Sequence, residues 1–306
     1  MTDPRGATVL RRAAFAITDT AAGLTAADIL AHPRFAAARA AHLDAVVAIF
    51  KADRFTTRMM TDAGMILLRG YLVGFHVAFD PADRATWATP GNVRKALITR
   101  GIASPRRVDD LLARFRQAGY VVSTGAPGDG RTRLFVPDER LIAHDRDHLA
   151  AYHRFLLELI PGCGYEWVLG DDGSVHRAFR RVAFYNQAQA TSALRHEAMR
   201  LFLAHDAGYL AFLLVAQAQL TRQSGPTWTE MSDDLGVSRS HLRTLFATAE
   251  AAGYVRLVAG HRRPVEILPS LWQAYDQFLA GVEADQHAIA QVAFAQRGTR
   301  ATGSTQ

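Results

Sequence analysis

Arg106 and Arg107 follow Ser104 and Pro105, a pairing that starts helices. A serine hydroxyl at that point accepts from a free backbone N–H of the first turn, and the proline ring is already set to a helical φ. Two guanidiniums on a first helical turn can form paired hydrogen bonds with the O6 and N7 atoms of guanine or with phosphate oxygens. Asp110 and Arg114 continue the outer face that Arg106 begins. Between positions 94 and 133 the cations are Arg94, Lys95, Arg100, Arg106, Arg107, Arg114, Arg116, Arg131 and Arg133, against Asp109, Asp110 and Asp129. That excess of six equals the net charge of +6 carried by all 306 residues. A patch of this kind is the electrostatic footprint of a site for a polyanion. Lys51 and Lys95 are the only lysines, so compositional bias accounts for arginine over lysine, but it does not account for the clustering.

The same phrase occurs twice. Ser104–Val121 reads SPRRVDDLLARFRQAGYV and Ser238–Val255 reads SRSHLRTLFATAEAAGYV, aligned without a gap and ending alike on Ala-Gly-Tyr-Val. This spacing is too long for a solenoid and fits a duplicated domain. In the second copy the outward positions are Ser238, Arg239, Ser240, His241 and Arg243, a weaker and more adaptable set of readers.

Other chemistries find less support. The single cysteine, Cys163, excludes an intramolecular disulfide and a multi-cysteine zinc site. His144 and His148 lie one helical turn apart beside Asp145 and Asp147, but a solvated helix start explains them more simply than a metal site. His76 reads as a core histidine, and Trp87, Trp167, Trp228 and Trp272 as packing residues. There is no glycine-rich phosphate loop and no nucleophile motif, so the expectation is neither an enzyme nor a cofactor protein. The N-terminus lacks a signal-like apolar run, and the apolar stretches around 63–79 and 207–220 are short for a membrane span. The expectation is a cytoplasmic protein without a membrane partner.

Around each copy the order of elements repeats. In the first, 56–79 reads as a long apolar helix, 80–90 as a loop and 92–100 as a short helix. The helix capped by Ser104 buries Val108, Leu111, Leu112 and Phe115 at helical spacing. Gly119 stops it, strands at 120–123 and 132–136 flank a Gly/Pro/Asp-rich tip, and 138–159 is a long helix. In the second, 194–221 reads as one long helix, 228–235 as a short one, and the helix capped by Ser238 buries Leu242, Leu245, Phe246 and Ala249. A hairpin at 254–258 and 264–268 carries Arg262 and Arg263 at its tip, and 271–294 is the last long helix. Asp62-Ala63-Gly64 and Asp206-Ala207-Gly208 are matching landmarks. Between the copies, 165–169 and 174–178 read as a small hairpin, residues 1–25 as fraying, and 26–52 as one or two helices.

This order resembles the MarR family of bacterial regulators, and GDGRTRLFV in the first hairpin is similar to that family's Asp-x-Arg-Arg wing. The resemblance covers roughly 55–160 and again 195–295. It implies a mainly α fold with small β-hairpin wings (α+β). The chain then holds tandem winged helix-turn-helix domains that form a pseudo-dimer: an N-terminal extension (1–54), a first domain (55–160), a connector (161–193), a second domain (194–295) and a disordered tail (296–306). It further implies that Asp129 orients Arg131 or Arg133 toward the minor groove. The second wing lacks the acidic partner. Typical members are half this length and dimerise. The partner this implies is double-stranded DNA, with a small-molecule effector allowed, and the function a sequence-specific transcription regulator. The protein is then a monomeric pseudo-dimer or a homodimer. Two other readings remain: a tandem winged-helix scaffold for protein partners, which the basic patch disfavours, and a plasmid-type replication initiator.

Overall fold

The computed structural model describes residues 15–17, 23–52, 63–99, 104–170, 173–186, 196–221, 225–258 and 264–302. The architecture is mainly helical with two small antiparallel hairpins. Before the first copy come α1 (Ala26–Ala31) and α2 (Phe35–Ala52). The first copy comprises α3 (Ala63–Ala78), α4 (Pro90–Ile98), α5 (Pro105–Gln117), β1 (Val121–Ala126), β2 (Asp129–Pro137) and α6 (Glu139–Leu159). The connector holds α7 (Gly173–Tyr185). The second copy comprises α8 (Glu197–Leu203), α9 (Gly208–Leu220), α10 (Trp228–Leu235), α11 (Arg239–Ala251), β3 (Val255–Leu257), β4 (Val265–Ile267) and α12 (Pro269–Thr302).

Local chemistry marks the helix boundaries. Thr25 with Asp28, and Thr227 with Glu230, form reciprocal capping boxes at α1 and α10. Thr89 and Ser104 cap α4 and α5, each with proline at the first helical position. The repeated Ala-Gly-Tyr phrase ends α5 and α11 in the same way. Gly119 and Gly253 take φ of 72° and 76°. Tyr120 N–H donates to Phe115 O and Gly119 N–H to Arg116 O; Tyr254 N–H donates to Ala249 O and Gly253 N–H to Glu250 O. Both are Schellman motifs, which satisfy carbonyls a helix end leaves open. Each hairpin then returns to the same tyrosine, with Asp138 N–H on Tyr120 O and Leu268 N–H on Tyr254 O.

One hydrophobic core runs through both copies. The N-terminal extension is central to it: α2 packs along α6 of the first copy and also against α9 of the second, while α12 covers α1, α6 and α7. Residues 15–17, read from sequence as fraying, are anchored instead. Phe15 stacks on Tyr185 with centroids 5.0 Å apart, and Asn186 bonds Ile17 N–H and Phe15 O.

Several further expectations need correction. The helix expected over 194–221 is two helices bent by 113°. Ala207 there takes φ 58°, and a Cβ on Gly208 would lie 2.3 Å from Phe202 O, so the chain turns sharply where only glycine fits. The connector hairpin is absent; a 3-10 turn (Glu166–Leu169) and α7 take its place, because Val175, His176, Phe179 and Val182 form a buried helical stripe. Helix α12 continues through Thr302 into the stretch expected to be disordered. His76 is exposed rather than in the core. His148 and Asp145 are buried rather than solvated, and no group of three or more metal-ligating side chains occurs among the described residues. No single helix among those residues is long and apolar enough to cross a membrane.

Asp145 anchors the junction of α3, α6 and α7. It accepts from Arg69 at 3.0 Å, from Arg180 at 2.6 and 2.8 Å, and lies 2.7 Å from His176 Nε2. Its burial alone would raise the carboxyl pKa, but the Arg180 and Arg69 guanidiniums and the His176 bond hold it well below the usual range. Across the core, His42 of α2 faces Glu283 of α12 at 3.6 Å, both without solvent exposure. Burial pushes Glu283 well up and His42 down to about 3, so neutral forms are favoured.

Candidate nucleic-acid interface

The two serine-capped helices present their outer faces as the spacing predicts. On α5, Val108, Leu111, Leu112 and Phe115 are buried, and Arg106, Asp110 and Arg114 are exposed. On α11, Leu242, Leu245, Phe246 and Ala249 are buried, and Arg239, Ser240 and Arg243 are exposed. Ser104 Oγ accepts from Arg107 N–H at 3.3 Å, and Ser238 Oγ from His241 N–H at 3.1 Å. Arg107 and His241 are therefore equivalent third helical residues. Ser238 Oγ also lies 2.9 Å from Ser240 Oγ.

The cations divide into committed and uncommitted groups. Arg94 of α4 pairs with Asp109 of α5 at 2.6 Å, which ties the two helices together. Arg133 folds back along its own hairpin, donating to Ser123 O at 2.9 Å. Arg243 lies over the Trp228 ring at 6.0 Å. Lys95, Arg106, Arg114 and Arg131 are exposed, and none has an acid within ion-pair distance among the described residues. Arg106 and Arg107 also stand at the positive end of the α5 dipole, where each cation costs about 0.3–1 kcal/mol at an exposed position. Folding alone gives no reason to put Arg106 there, whereas Arg107 pairs with Asp206. Arg262 and Arg263 lie outside the described residues, as does Arg100.

The first hairpin is longer and its tip tighter than expected. Residues 124–126 and 129–131 belong to the strands, and Pro127 and Gly128 alone make the turn, with Gly128 at φ 72°. Three residues opposite Gly125 and Ala126 bulge out of register, which puts Arg131 on the irregular stretch. The role that the resemblance implies for Asp129 is not what the side chain does. Its carboxylate accepts from Arg131 backbone N–H at 3.2 Å and from Thr132 Oγ1 at 2.8 Å. Those bonds hold its pKa below the ordinary carboxylate range. The guanidinium facing it is that of Arg84, at 3.4 Å. Asp129 therefore shapes the turn and leaves the Arg131 guanidinium without an acid partner among the described residues.

Sequence reasoning missed Arg84 and Asp206. Arg84 sits on a 3-10 turn with its guanidinium 5.0 Å over the Trp87 ring, beside the hairpin. Its position inside a Pro/Asp-rich loop carried no helical or strand signal. Asp206 was visible only as a repeat landmark. In the structure its carboxylate lies 3.5 Å from Arg107 Nη2, and its backbone carbonyl lies 2.8 Å from His241 Nε2. The first turns of α5 and α11 therefore converge on a single residue. A linkage of two side chains through one residue is shorter than the roughly 34 Å between recognition helices that read successive major-groove faces. The two helices are held in a closed arrangement. Comparison with protein-family models, with curated proteins and with solved structures finds no match to this chain.

Proposed function

We propose that this chain is a sequence-specific double-stranded DNA-binding transcription regulator built from two unequal winged helix-turn-helix copies of the MarR type. The observation that carries the reading is the set of uncommitted cations at α4, α5 and the first hairpin, one of which, Arg106, stands at a helix N-terminus where it costs stability. In this reading α5 enters the major groove. Arg106 meets base edges from the first turn, and Lys95, Arg114 and Arg131 meet flanking phosphates. The β1–β2 hairpin lies along the adjacent backbone as a wing, with Asp129 shaping the turn that presents Arg131.

The second copy contributes less. Ser240, His241 and Arg239 offer adaptable donors in place of a guanidinium pair, so the target has one strong and one weak half-site. Reading both at once requires α5 and α11 to part from Asp206. The Arg107–Asp206 pair is about half exposed on the Asp206 side, and such pairs contribute about 0–1 kcal/mol. Phosphate contacts of greater worth can replace it.

The test is capture of fragmented DNA from the source organism at physiological salt, followed by sequencing. A few sharp promoter peaks sharing an unequal inverted motif support the regulator. Peaks confined to iterated origin repeats point to an initiator. Retention without sequence preference, lost with modest salt, makes it a general DNA binder, and no retention at all overturns the reading.

A further inference from the structure

Where α2 meets α9 and α12, the core holds polar groups that the chain itself does not serve. His42 of α2, Tyr209 of α9, and Tyr275 and Glu283 of α12 are 0–4 % exposed. Six of their polar atoms form no hydrogen bond among the described residues: His42 Nδ1 and Nε2, both phenolic oxygens and both Glu283 carboxyl oxygens. The Ala151 carbonyl lies near His42 and the Tyr152 hydroxyl near Tyr209, but neither makes a well-formed bond. His42 Nδ1 and Glu283 Oε1 stand 3.6 Å apart. That is beyond the roughly 2.7–3.2 Å of a direct bond and within the reach of one small molecule bonded to both.

The four side chains share one place in the core. Tyr209 and Tyr275 both pack on Phe212 and Phe278, with ring centroids 4.9–6.4 Å apart. Burial first, then the nearness of Tyr152, with Glu283 adding to it, pushes both phenols well above their ordinary value, so each keeps its O–H. Buried polar groups are paired almost without exception, and each one left bare forfeits its hydration. Six at one spot call for a partner from outside the chain.

The chemistry of the set selects that partner. With Glu283 protonated and His42 neutral, as burial favours, each of the four side chains offers one donor and at least one acceptor. This suits a neutral molecule that both donates and accepts. A cation lacks its ligands here, because no third His, Cys, Asp or Glu joins His42 and Glu283 among the described residues. An organic molecule has no open path to side chains so little exposed, whereas water reaches such sites routinely.

We propose that this cluster is a hydration site, in which enclosed water molecules bridge α2 to α9 and α12. Six atoms at about three bonds per buried water call for about two waters. The bridge fastens the N-terminal extension to the second copy. A bond through water is nearly as favourable as a direct one, so the waters act as a structural ligand of the chain. The inference stands apart from the DNA-binding reading.

The experiment is water ¹⁷O magnetic relaxation dispersion on the full chain, which counts internal waters held longer than the molecule tumbles. The comparison is a variant in which the whole polar set is made apolar, His42→Leu, Tyr209→Phe, Tyr275→Phe and Glu283→Leu together. Its dispersion amplitude should fall by the equivalent of about two waters. Its melting temperature should be kept or raised, since no member of the set is left without its partners. Equal amplitudes in parent and variant overturn the site. A crystal structure of the parent at atomic resolution decides the matter even if the variant does not fold. Two density peaks about 2.6–3.2 Å from these atoms support the proposal. A dry cluster closed into direct bonds, or an ion with anomalous scattering in its place, overturns it.

Discussion

Arg107 and His241 hold the same place in the two copies, and both close on Asp206. One approaches the carboxylate at 3.5 Å and the other the backbone carbonyl at 2.8 Å. The turn that presents Asp206 is strained. Ala207 is the one non-glycine residue at positive φ among the described residues, and such conformations cost about 1–3 kcal/mol. Asp206→Asn keeps the carbonyl and removes the charge that holds Arg107. It is expected to raise affinity for two-half-site DNA. Spin labels at positions 110 and 244 should report a short separation in free protein and roughly 34 Å on DNA. An unchanged separation on DNA would mean that the closed arrangement is the binding form.

Arg106 is expected to trade stability for recognition. Arg106→Ala should weaken specific binding by about 1–3 kcal/mol and relax preference at one base position. Arg106→Glu should bind worse still, yet melt slightly higher, because an acid suits the α5 N-terminus. Anisotropy titrations and thermal melts read the two effects separately. An Arg106→Ala loss that is equal on random and specific duplex would make it a phosphate contact.

Arg131 is expected to behave as a backbone contact. Arg131→Gln should weaken binding to all sequences alike and reduce the salt slope of log K by about 1. Arg133→Gln should change the slope less, since Arg133 is already bonded to Ser123. Titrations across a salt series distinguish the two.

Stability should fall as the solution is acidified from pH 7 to 5. His42 is pushed down to about 3 and His153 to about 4, and His148 lies well below its ordinary value, all through burial. A depressed histidine contributes stability that is whole above the unfolded value near 6.5 and is lost as pH falls toward the folded value. Glu283 acts oppositely, since its raised folded pKa lets the native state bind a proton that the unfolded chain releases above about 4.5. The two effects nearly cancel at pH 7, where the unfolded histidines are mostly neutral; near pH 5 three protons against one leave a net of about two, a slope of roughly 3 kcal/mol per pH unit. Glu283→Gln removes the opposing proton, so its melts should depend more steeply on pH across this range. A flat profile in the parent would mean these histidines are not buried neutral.

Asp145→Asn should cost about 3–5 kcal/mol, because it leaves the Arg69 and Arg180 guanidiniums buried or nearly so without their carboxylate. Chemical denaturation measures it. A cost below 1 kcal/mol would show that water already serves these groups.

The residues of α5 and α11 were legible in the sequence because caps, buried stripe and stop are written within some eighteen positions of chain. Ser104 and Ser238 cap as expected, the buried residues are those of the apolar spacing, and both Ala-Gly-Tyr phrases end their helices. The exposure of Arg106 and Arg114 follows from the same periodicity. Tertiary structure decided what depends on contacts far apart in the chain. The break at Ala207 comes from packing Gly208 against Phe202, although the apolar run continues through it. The burial of Asp145 depends on Arg69 and Arg180, one on either side of it in sequence and brought to it by the fold. The placing of α2 between the copies, and the meeting of Arg107 and His241 at Asp206, join residues separated by tens to hundreds of positions. Local pattern sets which face of a helix is apolar. Which surface meets that face depends on how the whole core closes.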